Sequence, residues 1–429
     1  MKTINIEIVN EKLYYEKLDN GLEIYLIRKK DFITSHAVFL TNFGGLDVEF
    51  IPINEKEMIK VPSGIAHFLE HKLFEQEEGD KVFDFYKKTG SYVNATTGYK
   101  DTRYFFNCSK NFKENLMFLL DFVQKPFFTD ENVEKEKGII LEEAMMGLDN
   151  PNRKFSQSIY HSLYNKLPYN NTVIGSIDDI KSITKEDLYK CYNSFYHPSN
   201  MVLFIVTNED EKEIIDLVKE NQNNKKFDNN FKIVKKKYNE EEKVNKEKIV
   251  LKEDVNENRL CYSIKMKLDS FKASKLEIFD YYCTLFEILI GSLSSFNIDL
   301  KKKKIIKDNI SYSISSDETE NGVYVIFNIY ALTDKYDRFI KLLEKKLLSK
   351  EYTKEEFELY IKTFKTDLIS TFNVPVGIMR FMLSEYQFSK KVGNDNIIAE
   401  NNLSYKRFKE VTDKLSLDNK SIVILEKKK

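Results

Sequence analysis

The sequence carries almost no net charge. Its 429 residues include 67 Lys and Arg against 68 Asp and Glu, which gives a formal net charge of −1. Attraction of nucleic acid or of an anionic membrane surface requires a field of one sign, which interspersed charges do not produce. We therefore expect no nucleic acid partner and no membrane partner.

Cysteine is also scarce. The chain has four cysteines, which are far apart and form no C-x-x-C pair: Cys108, Cys191, Cys261 and Cys283. This spacing argues against a thiolate metal site and against a disulfide framework. We expect reduced thiols in the core.

Long apolar runs are missing as well. The N-terminal residues lead directly into charged sequence, without the apolar region of a signal peptide, so we expect a cytoplasmic protein. The most apolar stretch, residues 278–296, contains Asp280 and Glu287. It falls short of the roughly 20 uninterrupted apolar residues that a membrane-spanning helix needs. This stretch predicts a buried helix.

The length of the chain predicts about two domains of roughly 200 residues each. Residues 221–248 are almost wholly polar and charged, with little to bury, and predict a linker between domains at residues 1–220 and 249–429. The order of strands and helices in the first half recurs loosely in the second, which predicts two α+β domains of similar plan. All five histidines lie in the first half, so histidine chemistry is expected there: His36, His67, His71, His161 and His197.

Local patterns predict the individual elements of the first half. Residues 14–27 are typical of a hairpin turning at Asn20-Gly21, where both residues would supply positive φ angles. Pro62 suits the first turn of a helix that would carry His67 and His71. Further helices are expected at 80–88, 112–123, 132–146, 153–164 and 185–195, and strands at 37–42, at 91–106 with a break near Gly98, and at 201–207.

The second half is predicted in the same way. Its strands are expected at 260–266, 310–315 and 322–331, and its helices at 278–293, 336–348 and 354–372.

His67, Glu70 and His71 form the motif H-x-x-E-H. On a helix, positions i, i+3 and i+4 share one face, so both imidazoles can reach one point with the carboxylate beside it. H-x-x-E-H is the inverted order of the common zinc peptidase motif. The spacing alone leaves open the alternative that these are solvated residues on a helix face.

A catalytic zinc site needs a third protein ligand, and the helix predicted at 132–146 offers two carboxylates. With Ile139 at zero, a helical wheel places Glu136 at about 60° and Glu143 at about 40°, within the apolar arc. Glu142 falls at about −60°, outside that arc. Inward carboxylates need a cation or hydrogen-bond partner. An arginine pair and an exposed helix face remain alternatives to a metal.

The combination of these motifs resembles the pitrilysin, or insulinase-like, metallopeptidase family, which includes the mitochondrial processing peptidase. The resemblance rests on the H-x-x-E-H motif, on Asn94-Ala95 in the following strand, and on Glu136 with Glu143 seven residues later. The phrases at residues 64–71, 121–126 and 195–201 resemble the bacterial two-domain, YmfH-like branch of that family. The likeness extends from about residue 14 to residue 207 and is faint afterwards.

The resemblance implies a zinc-dependent endopeptidase that cuts short or unfolded peptides in a closed chamber. Each of its two homologous α+β domains would hold a mostly antiparallel sheet flanked by helices, and together they would form half of a clamshell. The implied roles are Zn²⁺ binding by His67, His71 and Glu143, general base catalysis by Glu70, support of the site by Glu136, and pairing with the peptide substrate by the edge strand of Asn94 and Ala95.

The second half departs from the family, in which an Arg and a Tyr reach the substrate at the zinc. Here Lys301 and Lys302 stand in the comparable region, and Tyr312 is the one match. Lysine cannot reproduce a bidentate guanidinium. We therefore expect a heterodimer in which a homologous partner supplies the Arg/Tyr pair, or alternatively a homodimer in which Lys301 or Lys302 replaces the Arg.

A third alternative is a non-catalytic scaffold or partner-binding subunit. Loss of a site residue would be typical of such a protein, and none is lost here. The choice between zinc and another divalent ion, and the identity of the peptide, stay open at this stage.

Overall fold

The computed structural model describes residues 1–77, 79, 81–227, 233–393 and 403–428. In chain order, the strands are β1 (Lys2–Ile6), β2 (Glu11–Lys17), β3 (Glu23–Arg28), β4 (Ser35–Thr41), β5 (Glu49–Ile51), β6 (Ile59–Lys60), β7 (Tyr92–Thr97), β8 (Thr102–Cys108), β9 (Met201–Thr207), β10 (Val234–Lys235), β11 (Lys248–Glu253), β12 (Arg259–Lys267), β13 (Ser311–Thr319), β14 (Gly322–Leu332) and β15 (Lys420–Lys427).

The helices are α1 (Ile65–Phe74), α2 (Lys81–Lys88), α3 (Phe112–Val123), α4 (Asp130–Leu148), α5 (Pro151–Leu163), α6 (Ile177–Ser182), α7 (Lys185–Phe195), α8 (Glu211–Asn223), α9 (Lys275–Ile290), α10 (Ser295–Lys302), α11 (Tyr336–Ser349), α12 (Lys354–Thr371), α13 (Pro375–Ser389) and α14 (Tyr405–Thr412).

Two sheets of the same plan organise these elements. The first sheet has the order β1-β2-β3-β9-β4-β8-β7 and the second the order β11-β15-β12-β14-β13. In each sheet one pair is parallel, β3 with β9 and β11 with β15, and the other pairs are antiparallel. Strands β3, β9, β4, β8 and β7 therefore occupy the places that β11, β15, β12, β14 and β13 occupy in the second sheet. The prediction of two similar α+β units with mostly antiparallel sheets is confirmed.

Each sheet is covered on one face by a helix from the other half of the chain. Helix α5, from the first half, packs on the second sheet through a cluster that includes Phe155, Ile159, Cys261 and Val423. Helix α13, from the second half, packs on the first sheet through a cluster that includes Val38, Phe204, Ile378 and Met382. Each half thus covers apolar surface of the other half's sheet, and this packing holds the two halves together. The domain boundaries at 1–220, 221–248 and 249–429 stay a prediction.

The charged segment 221–248 contains ordered structure. Helix α8 runs into it, and β10 pairs with β5 in a small three-stranded sheet. Glu240 is fully buried and pairs with Lys265, which is also fully buried, at 2.9 Å. A carboxylate can be buried where a cation and backbone N–H groups satisfy it. The expectation that this segment buries little is therefore wrong at Glu240; residues 228–232 lie outside the described residues.

Some local predictions differ from the structure. The hairpin of β2 and β3 forms as expected, but in its turn Gly21 has a positive φ and Asn20 does not. The stretch predicted as one broken strand is the antiparallel hairpin of β7 and β8, because the Gly98 N–H and the Asp101 carbonyl close a turn at 2.8 Å. Asp80, predicted to begin α2, lies outside the described residues.

The apolar stretch at 278–296 forms the predicted buried helix only as far as Ile290; a turn in which Leu293 is exposed follows, and α10 begins at Ser295. Most of α9 is enclosed, with Tyr282, Leu285 and Phe286 fully buried. Within the described residues no single helix is long and apolar enough to cross a membrane, although the bent pair α9 and α10 passes by length and composition together. The four cysteines form no disulfide, and all but Cys283 are buried.

Candidate metal centre

Helix α1 presents the H-x-x-E-H motif on one face. His67, Glu70 and His71 are partly buried, whereas Phe68 and Leu69 on the opposite side are fully buried in the first core. The helical repeat thus sends the apolar residues into the core and the two imidazoles with the carboxylate to the other side.

The start of α1 is fixed by a close approach between two loops. Gly64 has φ +87°, and a Cβ atom there would lie 2.2 Å from the carbonyl oxygen of Ile174. Gly175 has φ +88°, and a Cβ atom there would lie 2.4 Å from the carbonyl oxygen of Ser63. Since only glycine tolerates both the angle and the contact, α1 begins at Ile65. The prediction that Pro62 occupies the first turn is therefore wrong.

Helix α4 brings the third candidate ligand to this face. It begins with a capping box between Thr129 and Asn132. The Oε2 atom of Glu143 lies 3.8 Å from Nε2 of His67 and 3.6 Å from Nε2 of His71. One donor atom from each of these three residues lies within 4.8 Å of the others. The neighbouring Glu142 is exposed and outside the group.

Glu136 contacts the imidazole of His71 on the side that faces away from Glu143. Its Oε1 atom lies 2.9 Å from Nδ1 of His71, so Nε2 of that ring is turned towards Glu143. Burial lowers the pKa of His71, but the hydrogen bond and the charge of Glu136 outweigh burial and raise that pKa overall. A carboxylate on the second nitrogen is the usual way in which a metal-binding histidine is oriented.

His67 is held in its neutral form. Burial, helped by the charges of His71 and Arg153, lowers the pKa of His67 to about 3. Its Nδ1 atom is buried and has no hydrogen-bond partner among the described residues. A neutral imidazole can donate its lone pair to a metal ion, whereas a protonated one cannot.

Glu70 has a partner that the sequence did not reveal. Its carboxylate accepts a short hydrogen bond from the hydroxyl of Thr97, on the same strand as Asn94 and Ala95. Burial raises the pKa of Glu70, although the Thr97 hydrogen bond opposes this. Side chains alternate along β7, and Val93 and Ala95 face the core. This alternation indicates that Thr97, two residues further on, also points inward towards α1.

Arg153 is a second residue beside the cluster that no sequence motif indicated. Its guanidinium NH2 lies 3.8 Å from Oε1 of Glu143, and both side chains are partly exposed. Gly147 makes room for this arrangement, since a Cβ atom there would lie 2.0 Å from NH1 of Arg153. At this distance and exposure the ion pair is weak, so it leaves Glu143 available to a metal ion.

The buried face of α4 differs from the predicted arc. Its buried residues are Asn132, Val133, Glu136, Ile140 and Ala144. Ile139, which defines the zero of the predicted arc, is 48% exposed, and Met146, at about −20° on the same wheel, is 73% exposed. The arc predicted from hydrophobicity is therefore wider than the face that is buried. Glu136 lies within the buried face, and Glu143 is only partly buried.

The remaining predicted residues lie in two places. Asn94 is exposed and Ala95 is buried on β7, which ends the first sheet and pairs only with β8 within the described residues. Tyr312 lies on β13, where its hydroxyl donates to Oε1 of Glu287 at 2.9 Å and to the Cys283 carbonyl at 3.3 Å. Lys301 donates to Asn309 from the end of α10. The structure therefore does not bring Tyr312 or Lys301 to the histidine cluster.

The donor set of the cluster fits zinc. Two imidazole nitrogens and one carboxylate oxygen, with a coordination position left for water, form the usual protein ligand set of a catalytic zinc site. The contact between Glu136 and His71 adds the outer support that such ligands require.

Comparisons with known families cover most of the chain. The model of the family described as Insulinase (Peptidase family M16) matches residues 56–176, which contain the whole histidine cluster. The model described as Peptidase M16 inactive domain matches residues 182–364. The half without the cluster is therefore similar to the domain of that family described as inactive.

Individual relatives are similar over different shares of the chain. The uncharacterized zinc protease YmfH of Bacillus subtilis is 39% identical over 320 residues, covering 74% of each chain. The zinc protease PqqE of Helicobacter pylori is 29% identical over 162 residues, covering 37% of this chain and 36% of that one. A crystal structure described as an M16-like peptidase from Alicyclobacillus acidocaldarius superposes with a TM-score of 0.88 at 26% identity, over 97% of this chain and 99% of that one.

Proposed function

The chain belongs to the insulinase family, peptidase family M16, and we propose that it is the metal-bearing subunit of a zinc-dependent endopeptidase. The proposal is that it hydrolyses short or unfolded peptides in a chamber that a homologous chain completes. The observation that carries it is the meeting of His67, His71 and Glu143 within 4.8 Å, beside the carboxylate of Glu70.

Glu70 is the general base of this proposal. Zinc in such a ligand set lowers the pKa of a bound water towards neutrality and polarises the carbonyl of the scissile bond. Glu70 lies on the same helix face as both histidines, so it can accept the proton of the attacking water and pass it to the leaving amine. Thr97 holds the Glu70 carboxylate by its hydrogen bond, and Glu136 holds the ring of His71.

Strand β7 is the proposed substrate platform. It ends the first sheet, and Thr97 at its end touches the general base. An extended peptide that adds to such an edge is held by main-chain hydrogen bonds, which depend little on sequence. A site of this kind selects peptides that can unfold locally, because a folded segment cannot present a free strand.

A homologous partner is proposed because, in the described part of the second half, no arginine reaches the site. Tyr312 is bound to Glu287 and Lys301 to Asn309 within the second half. A chain of this kind would gain an Arg/Tyr pair from a partner subunit. The alternative is a homodimer, which would cleave a generic fluorogenic peptide without any added partner.

Metal analysis and two variants test the function. Purified protein is expected to retain about one zinc per chain, and His67→Ala to lose it, because zinc needs three protein ligands here. Glu70→Gln is expected to keep the zinc and to lose cleavage of the peptide. Absence of metal from the unaltered chain, or full turnover by Glu70→Gln, would overturn the proposal.

A further inference from the structure

A cavity of about 440 Å³ lies beside the turn between β7 and β8, where the two halves of the chain meet. Its walls come from the first sheet and from β13 and α13 of the second half, and include Thr96, Lys100, Arg103, Ser315, Gln387 and Lys390. This volume lies within the range of roughly 300–1,000 Å³ that is usual for ligand sites. The cavity is separate from the histidine cluster but adjoins the strand proposed to bind substrate.

The walls of the cavity carry more positive than negative charge. Lys100, Arg103 and Lys390 line it, against the single carboxylate of Asp101. Arg103 forms a bidentate pair with that carboxylate, with Nε to Oδ1 at 2.8 Å and NH2 to Oδ2 at 3.1 Å, and Gln387 also donates to Oδ2 at 3.3 Å. Lys100 is paired at 2.7 Å with Asp317, which is buried behind the wall.

Lys390 is the cation without a carboxylate. Its Nζ donates to Oδ1 of Asn42 at 2.7 Å and lies 4.9 Å from the ring centre of Tyr386. Within the described residues no carboxylate oxygen lies within 4.0 Å of that Nζ. The side chain is therefore held by a neutral amide and an aromatic ring, and its positive charge is not balanced by a contact.

The surroundings of Lys390 disfavour its charge. Partial burial, helped by the charges of Lys235 and Lys100, lowers the pKa of Lys390 to about 8, although part of the side chain stays exposed to solvent. Asp101 and Asp47 act in the opposite direction without restoring the ordinary value. An anion placed in the cavity would supply the missing negative charge.

Strand geometry connects the cavity to the peptide. Side chains alternate along β7, so Thr97 contacts Glu70 on one face while Thr96 borders the cavity on the other. Arg103 is the direct partner of Thr96 on β8, and paired residues share one face of a sheet. A peptide strand added to β7 would follow the same alternation. The peptide residue opposite Thr96 would then direct its side chain over the cavity.

We propose that this cavity is a subsite for a carboxylate of the peptide, either an acidic side chain or the C-terminal carboxylate, and that Lys390 binds it. The inference rests on the proposed peptidase function and adds a preference that backbone pairing cannot supply. It makes Lys390 a specificity-determining residue of a cavity bordered by Thr96, the neighbour of Thr97, which holds the general base.

Peptide binding without cleavage tests this assignment. Fluorescence anisotropy would compare the binding of labelled, unstructured Ser/Ala/Leu-rich peptides to the Glu70→Gln protein. In one series a single Glu or Gln is moved through the peptide, and in another the C-terminus is free or amidated. The same measurements are made after adding Lys390→Gln, the charge-retaining Lys390→Arg, or Lys212→Gln, which removes an exposed lysine of α8.

The expected result is about tenfold tighter binding of the carboxylate peptide at one position, as for one charge-assisted hydrogen bond. This ratio should fall to about one in Lys390→Gln and persist in Lys390→Arg and Lys212→Gln. Dependence on Glu would identify a side-chain carboxylate, and dependence on the free terminus would identify the C-terminal one.

Two further results would contradict the assignment in different ways. Equal binding of charged and neutral peptides, or a ratio unaffected by Lys390→Gln, would overturn the subsite and leave the peptidase proposal standing. Failure of every peptide to bind would overturn the peptidase proposal and the subsite with it.

Discussion

The Nδ1 atom of His71 lies 2.9 Å from Oε1 of Glu136, on the side of the imidazole opposite to Glu143. This contact fixes the ring so that its Nε2 atom faces the two other candidate ligands. It connects α1 with the buried face of α4, since Glu136 is 9% exposed.

Replacement of Glu136 should weaken the metal site without removing a ligand. In Glu136→Gln the amide no longer supplies a negative charge to Nδ1 of His71, so zinc affinity should fall by roughly 10–100-fold. Competition against a chromophoric chelator measures this affinity. Glu142→Gln, on the exposed side of the same helix, should bind zinc as the unaltered chain does; an equal loss in both variants would contradict the role of Glu136.

Thr97 is expected to act as a positioning residue for Glu70. In Thr97→Val the carboxylate loses its hydrogen bond, worth about 1.5–3 kcal/mol for a charged acceptor, so kcat should fall roughly 10–100-fold. KM and zinc content should change little, because Thr97 is not among the three candidate ligands. Thr97→Ser keeps the hydroxyl and should recover most of the activity; similar kcat values in the valine variant and the unaltered enzyme would remove this role.

The buried pair of Lys265 and Glu240 should stabilise the junction between the two halves. The Nζ atom of Lys265 donates to Glu240 and to the Leu163 carbonyl, each at 2.9 Å. Lys265→Met leaves a buried carboxylate without its cation, which should lower the free energy of unfolding by about 3–5 kcal/mol.

Lys267 offers a matched control on the same strand. Its pair with Glu242 is partly exposed, so Lys267→Met should cost less than about 1 kcal/mol. Thermal unfolding followed by circular dichroism compares the two variants, and equal midpoints would show that burial of the pair does not matter.

Asp280 should destabilise the protein as the pH rises. Burial, with a smaller effect of nearby Glu385, raises the pKa of this carboxyl well above its ordinary value, and its Oδ2 atom has no hydrogen-bond partner among the described residues. The unfolded chain releases the Asp280 proton at about pH 3.9, while the folded protein retains it. The free energy of unfolding therefore falls as the pH rises above that point.

Asp280→Asn removes this penalty. The variant should be more stable than the unaltered chain by about 1–3 kcal/mol at neutral pH, and less so under acid conditions. Midpoints of thermal unfolding at several pH values measure the difference. Asp299→Asn, at an exposed and weakly paired position, should show no such pH dependence; the same pH dependence in both variants would contradict the assignment.

The sequence predicted the general architecture because its signals are local. The turn residues and apolar periodicity of residues 14–207 predict most of the strands and helices that form there, and α7 spans Lys185–Phe195 as expected. The repeated order of elements predicts two similar units, and both sheets follow that order. The spacing of His67, Glu70 and His71 places them on one helix face in any α-helix.

Other features depend on residues that are distant in the sequence. The charged segment at 221–248 looks solvated in isolation, but Lys265 of β12 neutralises Glu240 in the interior. The exchange of α5 and α13 between the sheets is likewise invisible to local periodicity, because an amphipathic helix does not specify which apolar surface covers it.

For the site, the sequence by itself determined the histidine face of α1 and the choice of Glu143 over Glu142, since both follow from helical spacing. Only the tertiary structure decided that Thr97 holds Glu70, that Arg153 approaches Glu143 past Gly147, and that Tyr312 turns towards α9. Each of these contacts joins two different elements of the fold. Their geometry is set by packing of the complete fold, which no local pattern encodes.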